Sequence, residues 1–377
     1  MDIDIKYPAI SDLKKRAKRR IPHFAWEYLD SGTGDESTMR RNRAAMERVV
    51  LNPSILHGEI KPDLTTEFLG QTLSAPFGMG PVGMSGLMWP NAECLLASIA
   101  AHEEIPYCIS NVATQTPETV GPHMGNMGWF QLYAPRDPDI RRNMLGRIKN
   151  AGFHTLVLTV DVPVASRRER QRRGGLTHPP RLTPRILSHV ATCPAWALGT
   201  LRHGMPRMRF LDSYSNHKGS LPSTEHIGYL MRTSPDWDYL KALRNDWKGK
   251  LIVKGVQIPD DAKRLQSEGV DAVWVSNHAG RQFDAAPAAL DSLPGIRTAV
   301  GPDYPLIYDS SVQGGLDILR AIAMGADFVM LARAFHYGLG ALGKPGAEHV
   351  VHILRQDMVA NMGQLGIVHP KSVRDRL

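Results

Sequence analysis

The sequence predicts an α/β fold in which parallel strands close into a (β/α)8 barrel, with helices ahead of it and a long insertion after the fourth strand. Three observations carry that expectation. Eight short apolar runs, each the length of a buried strand, recur at 77–82, 106–110, 128–132, 155–160, 251–254, 272–276, 306–309 and 327–332. Helix-like stretches such as 92–102 and 316–324 separate them, and strand–helix alternation implies a parallel sheet. Eight such units imply closure, and the lack of a Gly-x-Gly-x-x-Gly fingerprint argues against an open doubly wound sheet.

The chain in order supports a single domain over 1–377. Residues 3–30 read as two helices: Ala9, Leu13, Ala17 and Ile21 fall near helical spacing, Ser11 serves as a cap, and Pro22 separates the two. Ser31-Gly32-Thr33-Gly34 breaks the pattern and residues 36–49 resume it, so residues 1–70 form an N-terminal helical segment. The barrel rhythm fails once, across 174–235, where Pro179, Pro180, Pro184, Pro194 and Pro206 accompany glycines and no strand period. That stretch mixes Arg181, Arg185, Arg202, Arg207 and Arg209 with Ile186, Leu187, Trp196, Leu198 and Leu201. A long insertion of this kind fits a patch resting on anionic lipid, or one packed against the protein or disordered.

Composition bounds the function. With 377 residues, 42% hydrophobic and 22% charged, the chain can bury a large core. No run of about 18 apolar residues is present to span a bilayer, and residues 1–7 have no secretory character. Three cysteines, Cys94, Cys108 and Cys193, lack metal or redox spacing and fit free thiols in a reducing cytoplasm. The net charge of +8 gathers at 14–20, 40–43 and 167–173. Aromatic residues, 7% of the chain, do not interleave with these clusters, which ranks a membrane surface or solvated charge above nucleic acid.

Strand C-termini converge on one face of a barrel, so residues at their tips meet in space. They carry Gly80-Pro81-Val82-Gly83, Ser110-Asn111, Gln131-Leu132-Tyr133, Thr159-Val160-Asp161 followed by Arg167-Arg168, then Lys254, His278 with Arg281, Asp309 and Arg333. Any one of these could be a salt-bridged rim residue. Polar groups at nearly every tip are harder to explain by stability alone. An imidazole that takes a proton and guanidiniums that grip a carboxylate suit an acid substrate.

The string Ser276-Asn277-His278-Ala279-Gly280-Arg281-Gln282-Phe283-Asp284 closely resembles the signature of the FMN-dependent 2-hydroxy acid oxidases and dehydrogenases, the family of glycolate oxidase, L-lactate dehydrogenase and mandelate dehydrogenase. Ala279 stands where glycine is usual and Phe283 where leucine is usual; neither change removes a reactive group. The resemblance extends along almost the whole chain. It implies FMN held at its ring by Pro81, Val82, Gly83, Ser110, Gln131 and Thr159, with Lys254 at the N1–C2 edge and Ser276 beside it. Asp309, Ser311, Gln313, Ala332 and Arg333 match cofactor positions in the loops after strands seven and eight, where the phosphate is held. Arg168, rather than Arg167, and Arg281 match the carboxylate clamp. Tyr28 and Tyr133 match groups that hydrogen-bond the substrate, although a tyrosine at a helix face such as Tyr28 is otherwise a packing residue. His278 matches the general base, its proton affinity raised by the Asp161 carboxylate that steadies the imidazolium.

Several positions depart from that pattern. Asp309-Ser310-Ser311-Val312-Gln313 replaces Asp-Gly-Gly-Val-Arg, which weakens the expected phosphate grip, and Ala332 replaces glycine. Val112 and Ala165 stand where glycolate-specific members are bulkier, implying room for a longer or aromatic acid. Gly83 is the residue more typical of dehydrogenases than of oxygen-using oxidases. The resemblance thus implies oxidation of an L-2-hydroxy acid, electrons passing to a quinone or other acceptor, no metal, and a homo-oligomer, commonly a tetramer. The expected location is cytoplasmic with peripheral contact at the inner membrane. An oxidase reducing oxygen to peroxide, a type 2 isopentenyl diphosphate isomerase and a barrel that binds FMN weakly without catalysis are the alternatives; the Tyr133, Asp161, Arg168, His278 and Arg281 set argues against the isomerase.

Overall fold

The computed structural model describes residues 2–175, 177–178, 183–214, 221–222 and 231–377. Eight parallel strands form a closed barrel in sequential order. They are β1 (Phe77–Met79), β2 (Tyr107–Ser110), β3 (Gly128–Leu132), β4 (Thr155–Thr159), β5 (Lys250–Val256), β6 (Ala272–Val275), β7 (Leu306–Tyr308) and β8 (Phe328–Leu331). All eight predicted runs are strands, with ends within three residues of those expected. Strands buried on both faces need apolar side chains at every position, and Ala272-Val273-Trp274-Val275 is buried throughout.

Side chains that alternate inward fill the barrel: Cys108, Trp129, Val157, Ile252, Trp274, Ile307, Phe328 and Met330 make one cluster. The hairpin Thr66–Phe68/Gln71–Leu73 adds Phe68 to it, stacked 4.9 Å from Phe328 and 6.3 Å from Trp129, centroid to centroid. Among the described residues the interior is therefore packed at that end, and the cleft opens at the other.

The N-terminal segment contains three helices ahead of the Ser31–Gly34 break rather than two: Ile3–Lys6, α1 (Ile10–Arg20) and α2 (His23–Asp30). Ser11 lies inside α1, whose N-cap is Ala9 without a side-chain bond, so the expected cap is not one. The apolar stripe Ile10, Leu13 and Ala17 is buried, as the spacing implied. After the break, α3 (Ser37–Arg48) opens from Glu36 at φ 59°.

The described parts of the insertion are largely helical. Beyond α4 (Glu169–Arg173) it contains α5 (Pro184–Ala191), α6 (Pro194–His203) and α7 (Arg209–Asp212). Prolines at the first helical turn start α5 and α6, where a missing N–H costs nothing. Two residues expected on a lipid-facing patch point inward instead. Ile186 is buried, and Trp196 packs edge-on against Phe24 with Nε1 donating to the Leu87 carbonyl at 2.9 Å. Arg181 and the Pro179–Pro180 pair lie outside the described residues.

Candidate active site

A cleft opens at the C-terminal ends of the strands. Its walls include Tyr28, Pro81, Val82, Gly83, Ser110, Gln131, Tyr133, Thr159, Arg168, Lys254, His278, Arg281, Asp309, Ala332 and Arg333. Barrel closure thus brings together residues spread from position 28 to position 333. Asp161 and Ser276 stand behind the wall, each bonded to a residue in it.

His278 and Asp161 form the reactive pair. His278 Nδ1 lies 3.0 Å from Asp161 Oδ1, leaving Nε2 as the ring nitrogen available to a ligand. Burial alone would raise the Asp161 carboxyl, but the His278 ring and then Lys254 outweigh it and hold its pKa below the ordinary value. For His278 burial dominates, helped by Lys254 and Arg168; together they outweigh Asp161 and hold the imidazole below its ordinary pKa. Asp161 does raise the proton affinity of the ring, as expected, but desolvation outweighs that one carboxylate. Asp161 fits there because residue 255 is glycine, at φ 104°, where an added Cβ would sit 2.5 Å from the Asp161 Cβ.

The guanidinium wall is tightly organised. Arg281 donates to the carbonyls of Tyr28 at 2.7 Å, Leu29 at 3.1 Å and Ser31 at 2.7 Å, capping the C-terminal end of α2. This ties the motif after β6 to the helix that carries Tyr28. Burial, then Arg168 and Arg333, push the Arg281 guanidinium down to about 9. Three mutually repelling cations in one desolvated cleft suit an anionic ligand. Arg168, at φ 43°, is buried with Nε 3.1 Å from Ser166 Oγ, whereas Arg167 is 78% exposed; the fold selects Arg168 of the adjacent pair. Behind it Arg170 binds Glu27 at 2.7 Å and Glu36 at 3.0 Å, joining α4 to α2 and the start of α3.

The opposite wall is flatter and hydrogen-bonding. Ser110 Oγ donates to Gln131 Oε1 at 2.6 Å, while Gln131 Nε2 and Thr159 Oγ1 are buried without a partner. Buried orphan groups of this kind point to a ligand that satisfies them. Lys254 Nζ lies 2.7 Å from Ser276 Oγ and 3.0 Å from Asp309 Oδ2, above the Trp274 ring. At Gly83 an added Cβ would meet Val112 Cγ2 at 2.7 Å, so the backbone there is flush with the wall. A planar heteroaromatic ring with polar edges fits this arrangement, and α8 (Arg333–Leu342) starts at the cleft, with an N-terminus suited to a phosphate.

Other expectations are corrected. Ser311 and Gln313 do not line the cleft: Arg43 Nη1 approaches the Ser311 carbonyl at 3.4 Å, and Gln313 is exposed with its N–H on Asp317 Oδ2. Ser310 and Ser311 hold φ of 100° and 65°, backbone suited to glycine, so both serines are strained there. The Ser310 hydroxyl offsets part of that strain through Asn277 Oδ1 at 3.1 Å and Asp309 Oδ1 at 3.0 Å. Val112 lines the cleft; Ala165 does not. Arg232, Leu29 and Met330 line it and were not singled out from the sequence, and Ala279, noted there only as a departure from the family signature, lines it too. Arg232 sits in the stretch without strand period, so no local signal pointed to it.

A barrel whose open end gathers a carboxylate-backed histidine, a guanidinium cluster and a flat polar wall defines an oxidoreductase-type flavin site acting on an anion. The chain belongs to the FMN-dependent dehydrogenase family, which it matches over residues 17–377, and FMN is its cofactor. It is 37% identical to an L-lactate dehydrogenase of Pectobacterium atrosepticum over 97% of this chain and 95% of that one. It is 36% identical to an L-lactate dehydrogenase of Pseudomonas syringae pv. syringae over 95% and 94%. Among solved structures, a monotopic membrane protein, (S)-mandelate dehydrogenase, superposes with a TM-score of 0.89 at 32% identity, covering 97% of each chain.

Proposed function

We infer that this chain oxidises an L-2-hydroxy acid to the 2-oxo acid, the two electrons passing through FMN to a quinone. The reading rests on the His278–Asp161 pair facing a cleft lined by Arg168 and Arg281. The guanidiniums of Arg168 and Arg281 hold the substrate carboxylate, and Tyr28 and Tyr133 bind its oxygens. His278 Nε2 takes the C2-hydroxyl proton, and Asp161 stabilises the imidazolium that results. Bound FMN supplies the two-electron acceptor. Pro81, Val82, Gly83, Ser110, Gln131 and Thr159 would hold its ring, Lys254 backed by Ser276 and Asp309 would favour negative charge on it, and Arg333 with the backbone beside Ala332 would hold its phosphate.

The protein is expected to purify yellow and to bleach anaerobically with an L-2-hydroxy acid. His278→Ala should keep the colour and lose the bleaching. An unchanged oxidised spectrum across a broad acid panel would overturn the reading, and peroxide formed stoichiometrically in air would replace the quinone with oxygen.

The same reading includes peripheral contact with the cytoplasmic face of the inner membrane and a homo-oligomeric assembly. Leu198 and Leu201, three residues apart on α6, are 70% and 83% exposed, with Leu187 and Met205 also outward and Arg185, Arg202 and Arg207 nearby in sequence. No described helix is long and apolar enough to cross a membrane, so exposed leucines among basic residues favour resting on anionic lipid.

A further inference from the structure

We propose that Arg232 reads a second anionic group on the substrate, making 2-hydroxydicarboxylates the preferred acids. The proposal rests on the hydroxy acid activity inferred above and names the substrate class within it.

Arg232 is 7% exposed and forms part of the cleft wall. Its backbone is pinned just past the β3 tip. Pro135 and Arg232 form an antiparallel bridge, Thr233 N donates to the Ala134 carbonyl at 2.8 Å, and Arg136 N donates to the Met231 carbonyl at 2.9 Å. The return of the insertion is thereby stitched to the barrel at the residue that enters the cleft. The guanidinium carbon lies 5.2 Å from the centre of the Tyr133 ring, a cation–π distance that steadies its plane. A guanidinium has five N–H donors in a fixed fork, so it can grip a carboxylate in addition to its other contacts.

Position separates Arg232 from the carboxylate clamp. Arg281 enters from the β6 side, where its donors hold the α2 carbonyls, and β6 is three strands round the barrel from β3. In the proposed mode the remaining carbons of a substrate held by Arg168 and Arg281 lie toward Arg232, which shares the cleft wall. A lactate methyl brings nothing for a guanidinium to bind there, and a mandelate phenyl offers only a cation–π contact. A second carboxylate accepts its hydrogen bonds. Asp309 is the one carboxylate among the described wall residues, and it is paired with Lys254 at 3.0 Å, so the cleft remains strongly cationic.

The test compares (S)-malate and (S)-2-hydroxyglutarate with (S)-lactate and (S)-2-hydroxybutyrate as reductants of the FMN-loaded enzyme under anaerobic conditions. The wild type should favour the diacids in kcat/KM. Arg232→Met should lower the diacid-to-monoacid ratio by about 10- to 150-fold, the range for losing a hydrogen bond to a charged group, and Arg232→Lys should recover part of it. Binding gives an independent readout. Oxaloacetate should perturb the oxidised flavin spectrum at lower concentration than pyruvate, and Arg232→Met should remove that difference. A wild-type preference for monoacids, an unchanged ratio in Arg232→Met, or equal losses on both classes with the binding difference intact would overturn the assignment. If neither class reduces the flavin, the hydroxy acid reading itself fails and this inference with it; bleaching by monoacids alone removes only the role of Arg232.

Discussion

Asp161→Asn isolates the electrostatic part of the proposed proton transfer. The substitution preserves shape and one hydrogen-bonding oxygen at the 3.0 Å contact with His278 Nδ1, and removes the charge. When His278 takes a proton, unit charges about 4 Å apart attract by about 4 kcal/mol at an effective dielectric constant of about 20. About half of that charge exists at a transition state in which the proton is half transferred, so the loss is about 2 kcal/mol, or roughly 30-fold in rate. The assay is anaerobic stopped-flow reduction of the flavin by saturating hydroxy acid at pH 7, with FMN content measured alongside. Full FMN occupancy with a roughly 30-fold slower reduction is the expected result. A rate within threefold of wild type would show that Asp161 contributes no charge stabilisation, and loss of FMN would assign it to the cofactor site or the fold.

Two further outcomes follow from the same geometry. His278 must be neutral to accept a proton, and burial depresses its pKa, so kcat/KM should rise with pH along a limb below the ordinary histidine value of about 6.5 and be flat from there to neutrality; a limb above 6.5 would contradict the burial argument. Replacing both Leu198 and Leu201 with glutamate should abolish flotation with anionic liposomes while leaving flavin content intact, and equal flotation would remove the membrane proposal. Point changes suit this test better than deleting 174–235, because Trp196 and Phe210 in that stretch are buried against the barrel side.

The eight strands were legible because each is encoded locally: a strand buried on both faces must be apolar over its whole length, and the polar residue ending it marks its tip. The motif around His278 was legible for the same reason, since spacing along a short loop survives folding. By itself, then, the sequence determined the barrel, the family and the chemical types at the strand tips.

Contacts between distant segments were decided only by the tertiary structure. Trp196 and Ile186 look the same in the sequence as Leu198 and Leu201, yet two face the protein and two face outward, because helix orientation is set by what α6 and α5 pack against. Ser311 and Gln313 do not line the cleft, and Ser311 sits in left-handed backbone that its residue type does not reveal. Arg232 entered the cleft through backbone hydrogen bonds to residues nearly a hundred positions earlier. Barrel closure was expected from the eight units, but which side chains share the cavity was decided by contacts between distant segments.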